Sequence, residues 1–554
     1  MSTATPLTSN AAPPRRVIVA VTLLAAFHVA QGAWVILADR SLPHFAVLDH
    51  QGRAIALHLG LSRADRTAGP GAIVDVAGMV LRSSSYRQPL LFVGAQPAFW
   101  LLGPTADASA LTILPWTLLL VLGTFRLGRR LGGDSAGLVS AATLMAFPIV
   151  LGHRALFLPF LPMAACASMA AAEALELARE RPRAHWRLGL WVGIGLLVRA
   201  DFALVAVGLG VGALLEATAG RRAAVFRSLL RAVGATLLVS GWWFAASGLY
   251  AIHFYMGIGI LRAEHPHDGI PLVSVANLVY YPLRLATMMA GPLGVVAALA
   301  LAGLVRARAT GARLFLAWIV VPWAFYTVIP LKSARYLVPA LPALAVALSL
   351  AVHRTGCTWL RRLLVALALA TPLVLVHVPG AAAAWSRDAI APSAWCAVLE
   401  RREDALDYGR IAPWSDPSWE RLVDDLTAML LATTPVAEEI RGDPRGAAPD
   451  RTAPAKHRAY VVDGVADLYL EPLDLDPRFE VGRGCDLALR DLALARRKLR
   501  DAKLLLLAFP PATELAPRAL KLVREAHADA AGRPRLGELA LPDGRALVAF
   551  GPRS

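Results

Sequence analysis

Through its first 380 residues the sequence returns repeatedly to apolar runs of about 20 residues, the length that crosses a bilayer as a helix. They fall near 17–38, 109–127, 134–152, 156–177, 187–199, 202–219, 232–252, 287–305, 313–330, 336–353 and 363–379, which predicts about eleven transmembrane helices. Few folds are open to such a chain, because each backbone polar group in hydrocarbon must be satisfied within the protein. The fifth and sixth runs form one apolar stretch broken by Arg199-Ala200-Asp201, read as a turn at the membrane edge. A signal peptide competes for the first run, with Arg15-Arg16 as its basic flank. The length of the run and the lack of a clear small-x-small cleavage site favour an uncleaved span.

Charge orients these spans. The net charge of +16 is distributed as +18 before Ala381 and −2 from Ala381 to Ser554. With the N-terminus cytoplasmic, the loops on that side hold 19 basic and five acidic residues, and the outer segments of the first 380 hold 12 and eight. That is the positive-inside pattern. It predicts a multi-pass protein of the bacterial inner (plasma) membrane, with a periplasmic C-terminal region. The basic half is also the apolar half, which argues against a nucleic-acid partner.

The expected organisation is a disordered N-terminus over 1–14, a transmembrane domain over 15–380 with an outer loop at 39–107, and an extracytoplasmic domain over 381–554. Within that loop, His50–Leu61 and Pro70–Leu81 have apolar residues at helical spacing and read as helices on the membrane surface. The second long outer segment is His253–Arg284. After Gly380, strands are expected at Ala459–Val462, Lys503–Ala508 and Arg545–Phe550. Helices are expected at Asp388–Leu406, Asp416–Leu431, Asp486–Arg500 and Leu515–Ala530, giving a small α/β domain. Cys396 and Cys485 both fall there, as a disulfide or as two separate thiols.

Ionisable residues at a membrane boundary are costly and therefore informative. Asp49 follows the apolar Phe45–Leu48 and begins an amphipathic segment, where the helix dipole favours an anion; an N-cap is the plainer reading. Lys332 is the only lysine before Lys456 in a chain with 51 arginines and five lysines. It opens the segment Lys332–Pro342 (KSARYLVPALP) between the ninth and tenth spans. Lys332, Arg335 and Tyr336 could bind a phosphate at the bilayer surface, lysine as a point charge and arginine as a fork; interfacial anchoring is the alternative. Arg154, after His153, is placed to join them. Glu264, His265, His267 and Asp268 are metal-ligating residue types in one loop that also contains a proline. Trp242-Trp243 and Tyr280-Tyr281 read as an aromatic belt. No P-loop, dinucleotide fingerprint, HExxH or paired CxxC is present.

Five stretches, in order, resemble the GT-C membrane glycosyltransferases, in the branch of protein O-mannosyltransferases, lipid A aminoarabinose transferases and rhizobial lipopolysaccharide glycosyltransferases. They are Leu42–Leu59 with Asp49, Tyr86–Gly103 with a helix proline, Phe125–Pro148 (FRLGRRLGGDSAGLVSAATLMAFP), Gly189–Asp201 and Lys332–Pro342. The resemblance implies a polyprenyl-phosphate-linked sugar as donor, Asp49 as general base, and Lys332, Arg335, Tyr336 and Arg154 on the donor phosphate. It leaves the acceptor unspecified (a lipid, glycan or protein hydroxyl) and a divalent metal open, with no cofactor certain. Members often carry a second acid after the first-loop aspartate, where this chain has His50. They often carry another beyond the third span, where His153–Phe160 has none. His50, His153 and Asp201 are therefore the auxiliary candidates. The alternatives are a carrier or flippase for a lipid-linked saccharide, and a non-catalytic assembly subunit of the membrane.

Overall fold

The computed structural model describes residues 12–38, 45–63, 70–84, 87–179, 184–259, 273–289, 292–329 and 333–377. In the C-terminal region it describes 457–461, 479–483, 495–496, 499–500, 502, 505–509, 517–540 and 546–551. By contact the chain forms two compact units. One comprises Met1–Asp39, Ser85–Leu91 and Ala110–Gly409, the other Arg40–Ser84, Phe92–Ser109 and Arg410–Ser554.

The first unit is helical. Five segments are long and apolar enough to cross a membrane: Arg15–Leu37, Ala106–Met145, Phe160–Ala178, Ala219–Leu249 and Arg335–Arg354. Shorter apolar helices include Ala184–Val198, Phe202–Glu216, Leu293–Arg306 and Ala312–Val328. We number the helices in chain order: α1 (Arg15–Ala38), α2 (Phe45–Arg63), α3 (Pro70–Ser84), α4 (Leu90–Leu102), α5 (Ala106–Leu111), α6 (Leu114–Met145), α7 (Pro148–His153) and α8 (Phe160–Ala178). There follow α9 (Ala184–Val198), α10 (Phe202–Glu216), α11 (Arg222–Gly259), α12 (Val275–Met288), α13 (Pro292–Arg306), α14 (Ala312–Val328), α15 (Leu341–Arg354) and α16 (Thr358–His377). A 3-10 segment, Ala334–Ala340, leads into α15.

The second and third runs part at Gly133 (φ 81°, ψ −176°), a non-helical conformation that favours glycine and divides α6 into two helices, as the hydropathy reading expects. Two features depart from that reading. The segment 253–284, expected as a loop, holds most of α12, whose N-terminus is capped by Ser274 accepting from Asn277 N at 3.1 Å. The tenth run does not begin as α-helix: its first turns are the 3-10 segment, which contains Pro339.

Glycines let neighbouring spans approach closely. A Cβ on Gly212 of α10 would lie 2.7 Å from Leu314 Cα of α14, and one on Gly189 of α9 would lie 2.4 Å from the Ala232 carbonyl of α11. Small-residue contact of this kind is how helices pack where lipid removes the hydrophobic drive. Thr236 of α11 adds an interhelical bond to Gly189 O at 3.1 Å. Where α6, α8 and α9 meet, the fully buried Glu173 pairs with Arg126 and, at 2.8 Å, with Arg187 Nε. Arg130 Nε pairs with Glu176 at 3.2 Å. Buried carboxylates are retained when paired in this way.

In the second unit, α2 and α3 occupy the two stretches expected to form surface helices. Arg53 donates to Ser83 O at 3.2 Å, and Gln96 of α4 donates to Ala54 O at 3.0 Å. The C-terminal region forms a five-stranded sheet in the order β2-β1-β3-β5-β4. Its strands are β1 (His457–Val461), β2 (Phe479–Arg483), β3 (Leu505–Phe509), β4 (Arg535–Ala540) and β5 (Ala546–Phe550). β2, β1 and β3 run parallel; β3–β5 and β5–β4 are antiparallel. The final helix, α17 (Pro517–Ala530), packs Leu522, Val523 and Ala526 into a core with Leu505, Leu507 and Val548. Buried Arg533 holds Asp529 at 2.6 Å and donates to the carbonyls of Ala502, Gly551 and Leu499. Expected helices at 388–406 and 416–431, and both Cys396 and Cys485, lie outside the described residues.

Candidate functional site

The break between α9 and α10 is the centre of a cationic and aromatic cluster. Arg199 Nε lies 2.8 Å from Asp201 Oδ1 and 2.9 Å from Oδ2, closing an ion pair across two residues of turn. Tyr326, near the end of α14, donates its hydroxyl to Asp201 Oδ2 at 2.8 Å. Its ring stacks on Tyr336 of the 3-10 segment, with centroids 4.9 Å apart and planes at 22°. The Arg199 guanidinium lies over Phe160 at 4.8 Å and over Tyr336 at 5.2 Å, within cation–π range of both. Arg335 lies over the same Phe160 ring at 5.5 Å. His153 meets the Phe160 ring edge-on at 5.7 Å.

Local sequence explains each position. Phe160 is the first residue of α8, preceded by Pro159, and no side chain caps that helix start. An uncapped N-terminus carries partial positive charge, and here it stands beside two arginines. Asp201 supplies one negative charge against those two positive ones, so the cluster is net positive. Such an arrangement is suited to an anion, which would be met by forked donors and helix N–H groups together.

Several of the expected site residues converge here. Arg335, Tyr336, His153 and Asp201 share the cluster through Phe160, Arg199 and Tyr326. The Asp201 carboxylate is engaged by Arg199 and Tyr326, so its role in the cluster is that of a counter-charge. His153 donates Nδ1–H to Ile149 O at 3.0 Å. Arg154, 1% exposed, directs Nη1 to α1, 3.2 Å from His28 Nδ1 and 3.3 Å from His28 O. In the second unit, Asp49 lies in the opening turns of α2, though its side chain lies outside the described residues, and His50 is buried against Phe92 at 5.9 Å. Lys332, Glu264, His265, His267 and Asp268 lie outside the described residues. Among the described residues, no three His, Cys, Asp or Glu side chains are grouped to hold a metal.

Arg199 reads from sequence only as a turn residue, and Phe160 and Tyr326 are not singled out by it. An Arg-x-Asp inside an otherwise apolar stretch was the available signal for the first. Tyr280 and Tyr281, expected in an interfacial belt, are buried instead, and Tyr281 extends the cluster to Tyr326 at 6.2 Å. Both belong to α12, whose Arg284 lies over Tyr280 at 5.3 Å.

No protein-family model matches the chain, and no curated protein matches it by sequence. Solved structures do. ArnT from Cupriavidus metallidurans, bound to undecaprenyl phosphate, superposes with a TM-score of 0.54 at 14% identity, covering 97% of this chain and 98% of that one. The apo form of the same protein gives a TM-score of 0.53 at 15% identity, covering 96% and 97%. The Archaeoglobus fulgidus oligosaccharyltransferase, in complex with zinc and sulfate, overlaps at a TM-score of 0.44 and 13% identity, over 88% of this chain and 67% of that one. The likeness to ArnT runs the length of both chains. The chain is a multi-pass membrane protein with the fold of the GT-C glycosyltransferases.

Proposed function

We propose that this protein is a membrane glycosyltransferase that moves a sugar from a polyprenyl-phosphate donor to an acceptor outside the cytoplasm. The observation that carries this reading is the end-to-end likeness to ArnT, whose crystal structure holds undecaprenyl phosphate. The net positive cluster around Phe160 supports it, because a lipid phosphate needs fixed donors at its leaving oxygens.

In this reading the donor phosphate sits against Arg335, Tyr336, Lys332 and Arg199, with Arg154 adding charge nearby. Asp49 takes the proton from an acceptor hydroxyl, whose oxygen attacks the anomeric carbon. The bond from that carbon to the phosphate oxygen breaks, and the electron pair leaves with the polyprenyl phosphate. Arginines already in place stabilise that charge without reorganising at the moment of reaction. Asp201 and Tyr326 hold Arg199 in position. The reading places the N-terminus in the cytoplasm of a bacterial inner membrane, with 15–380 as the transmembrane domain and 381–554 as a periplasmic one.

The test uses the purified full chain in detergent with undecaprenyl-phosphate-linked sugars and a cell-envelope lipid extract as acceptor. Release of undecaprenyl phosphate that depends on the acceptor is expected. Undecaprenyl phosphate failing to bind, in a titration followed by native mass spectrometry, would remove the donor class from the reading.

A further inference from the structure

Helix α1 carries two residues that the mechanism above leaves unused. His28 is completely buried, and its Nδ1 and its backbone oxygen both face Arg154 Nη1, at 3.2 and 3.3 Å. A guanidinium only donates, so Nδ1 is the acceptor and the ring proton sits on Nε2. One turn on, Gly32 presents no Cβ. A Cβ there would lie 2.8 Å from Leu114 Cδ2, 3.4 Å from Arg154 Cδ and 3.6 Å from Arg154 Nε. The His28 carbonyl is the helix acceptor for the N–H of residue 32. The arginine stem therefore reaches that carbonyl by passing over the bare backbone of Gly32.

The chemistry of these two contacts matters. The imidazole in this tautomer and the peptide carbonyl are both neutral, so the α1 contacts fix the guanidinium without bringing a charge to it. Arginine has several rotatable bonds and is costly to order. A position that encloses it to 1% exposure and gives it two acceptors is built to hold one rotamer.

We infer that His28 forms a seat on α1 that positions Arg154 for the phosphate of a polyprenyl-phosphate lipid. The inference rests on the proposed donor class. His28 acts through Arg154 and is a positioning residue.

The test titrates the detergent-purified full chain with undecaprenyl phosphate, in parallel with thermal unfolding. His28→Leu removes the acceptor at similar volume and is expected to weaken lipid binding about tenfold, the size of one charge-assisted hydrogen bond. His28→Asn, whose Oδ1 stands where Nδ1 does, is expected to stay within about twofold of the parent. In an Arg154→Met background, His28→Leu is expected to add no further loss. Binding unchanged in His28→Leu, or a His28→Leu loss that persists in full on Arg154→Met, overturns the seat while the donor reading stands. If His28→Leu does not fold, His28→Ala and His28→Asn decide the matter: equal binding by the two overturns the seat. A parent protein that does not bind undecaprenyl phosphate at all overturns the donor reading and the seat with it.

Discussion

Removing one oxygen atom from Tyr326 isolates the contact that organises the cationic cluster. Tyr326→Phe keeps the ring that stacks on Tyr336 and deletes only the hydroxyl 2.8 Å from Asp201 Oδ2. A hydrogen bond to a charged group contributes about 1.5–3 kcal/mol. Tyr326 is 4% exposed, and the Arg199 and Asp201 side chains are 14% and 16% exposed, so solvent screens the contact little. The expected loss is therefore about 2 kcal/mol of unfolding free energy. Reversible unfolding in mixed detergent micelles measures it. A double-mutant cycle with Asp201→Asn assigns it to the pair, with a coupling of at least about 1 kcal/mol expected. Losses that add to within about 0.3 kcal/mol would refute the idea that the hydroxyl acts through the carboxylate.

Three further outcomes follow from the packing and the ion pairs. Glu173→Gln takes a fully buried charge away from Arg126 and Arg187 and should lower stability by about 3 kcal/mol, read from the same unfolding assay. Gly212→Leu drives side-chain atoms into the Leu314 backbone and should cost at least about 2 kcal/mol, whereas Gly303→Leu, where a Cβ meets nothing within 4 Å, should be nearly neutral. In the sheet unit, Arg496 bonds Glu525 at 2.7 Å, and that hydrogen bond, with the adjacent positive charge, holds the Glu525 carboxyl below its ordinary range. Because the folded state favours the ionised form, the pair's contribution is complete at neutral pH and is lost as pH falls below about 4.3. The acid limb of the melting curve should flatten in Glu525→Gln, and an unchanged limb would discount the pair.

Much of this molecule could be read from the sequence because hydrocarbon allows so few choices. Runs of about 20 apolar residues and the sidedness of arginine were enough to expect a helical membrane core. The short strands β1, β3 and β5 were visible as β-rich runs between turn residues, whereas β2 (FEVGR) and β4 (RLGELA) carry too many charges and glycines to show a clear strand pattern. Helix α12 escaped for a related reason: Asn277, Pro282 and Arg284 break up its apolar run, and its Ser274 cap and its packing on α13, α14 and the 3-10 segment support it. The site was half legible. Arg335 and Tyr336 stood out beside a rare lysine, but Arg199 read as a turn residue, and Tyr326 read as part of a span. Their partnership is long-range, 125 residues separating Tyr326 from Asp201, and no local pattern encodes it.

The most direct measurement compares the full chain with Asp49→Asn for sugar transfer from undecaprenyl-phosphate-linked donors to envelope lipids in reconstituted vesicles. The parent protein is expected to release undecaprenyl phosphate in step with acceptor glycosylation, and Asp49→Asn to bind the same lipid phosphate while losing transfer by a factor of about 100 or more. Movement of the intact donor across the vesicle membrane without sugar transfer would contradict the assignment as a glycosyltransferase, and full transfer by Asp49→Asn would contradict the choice of base.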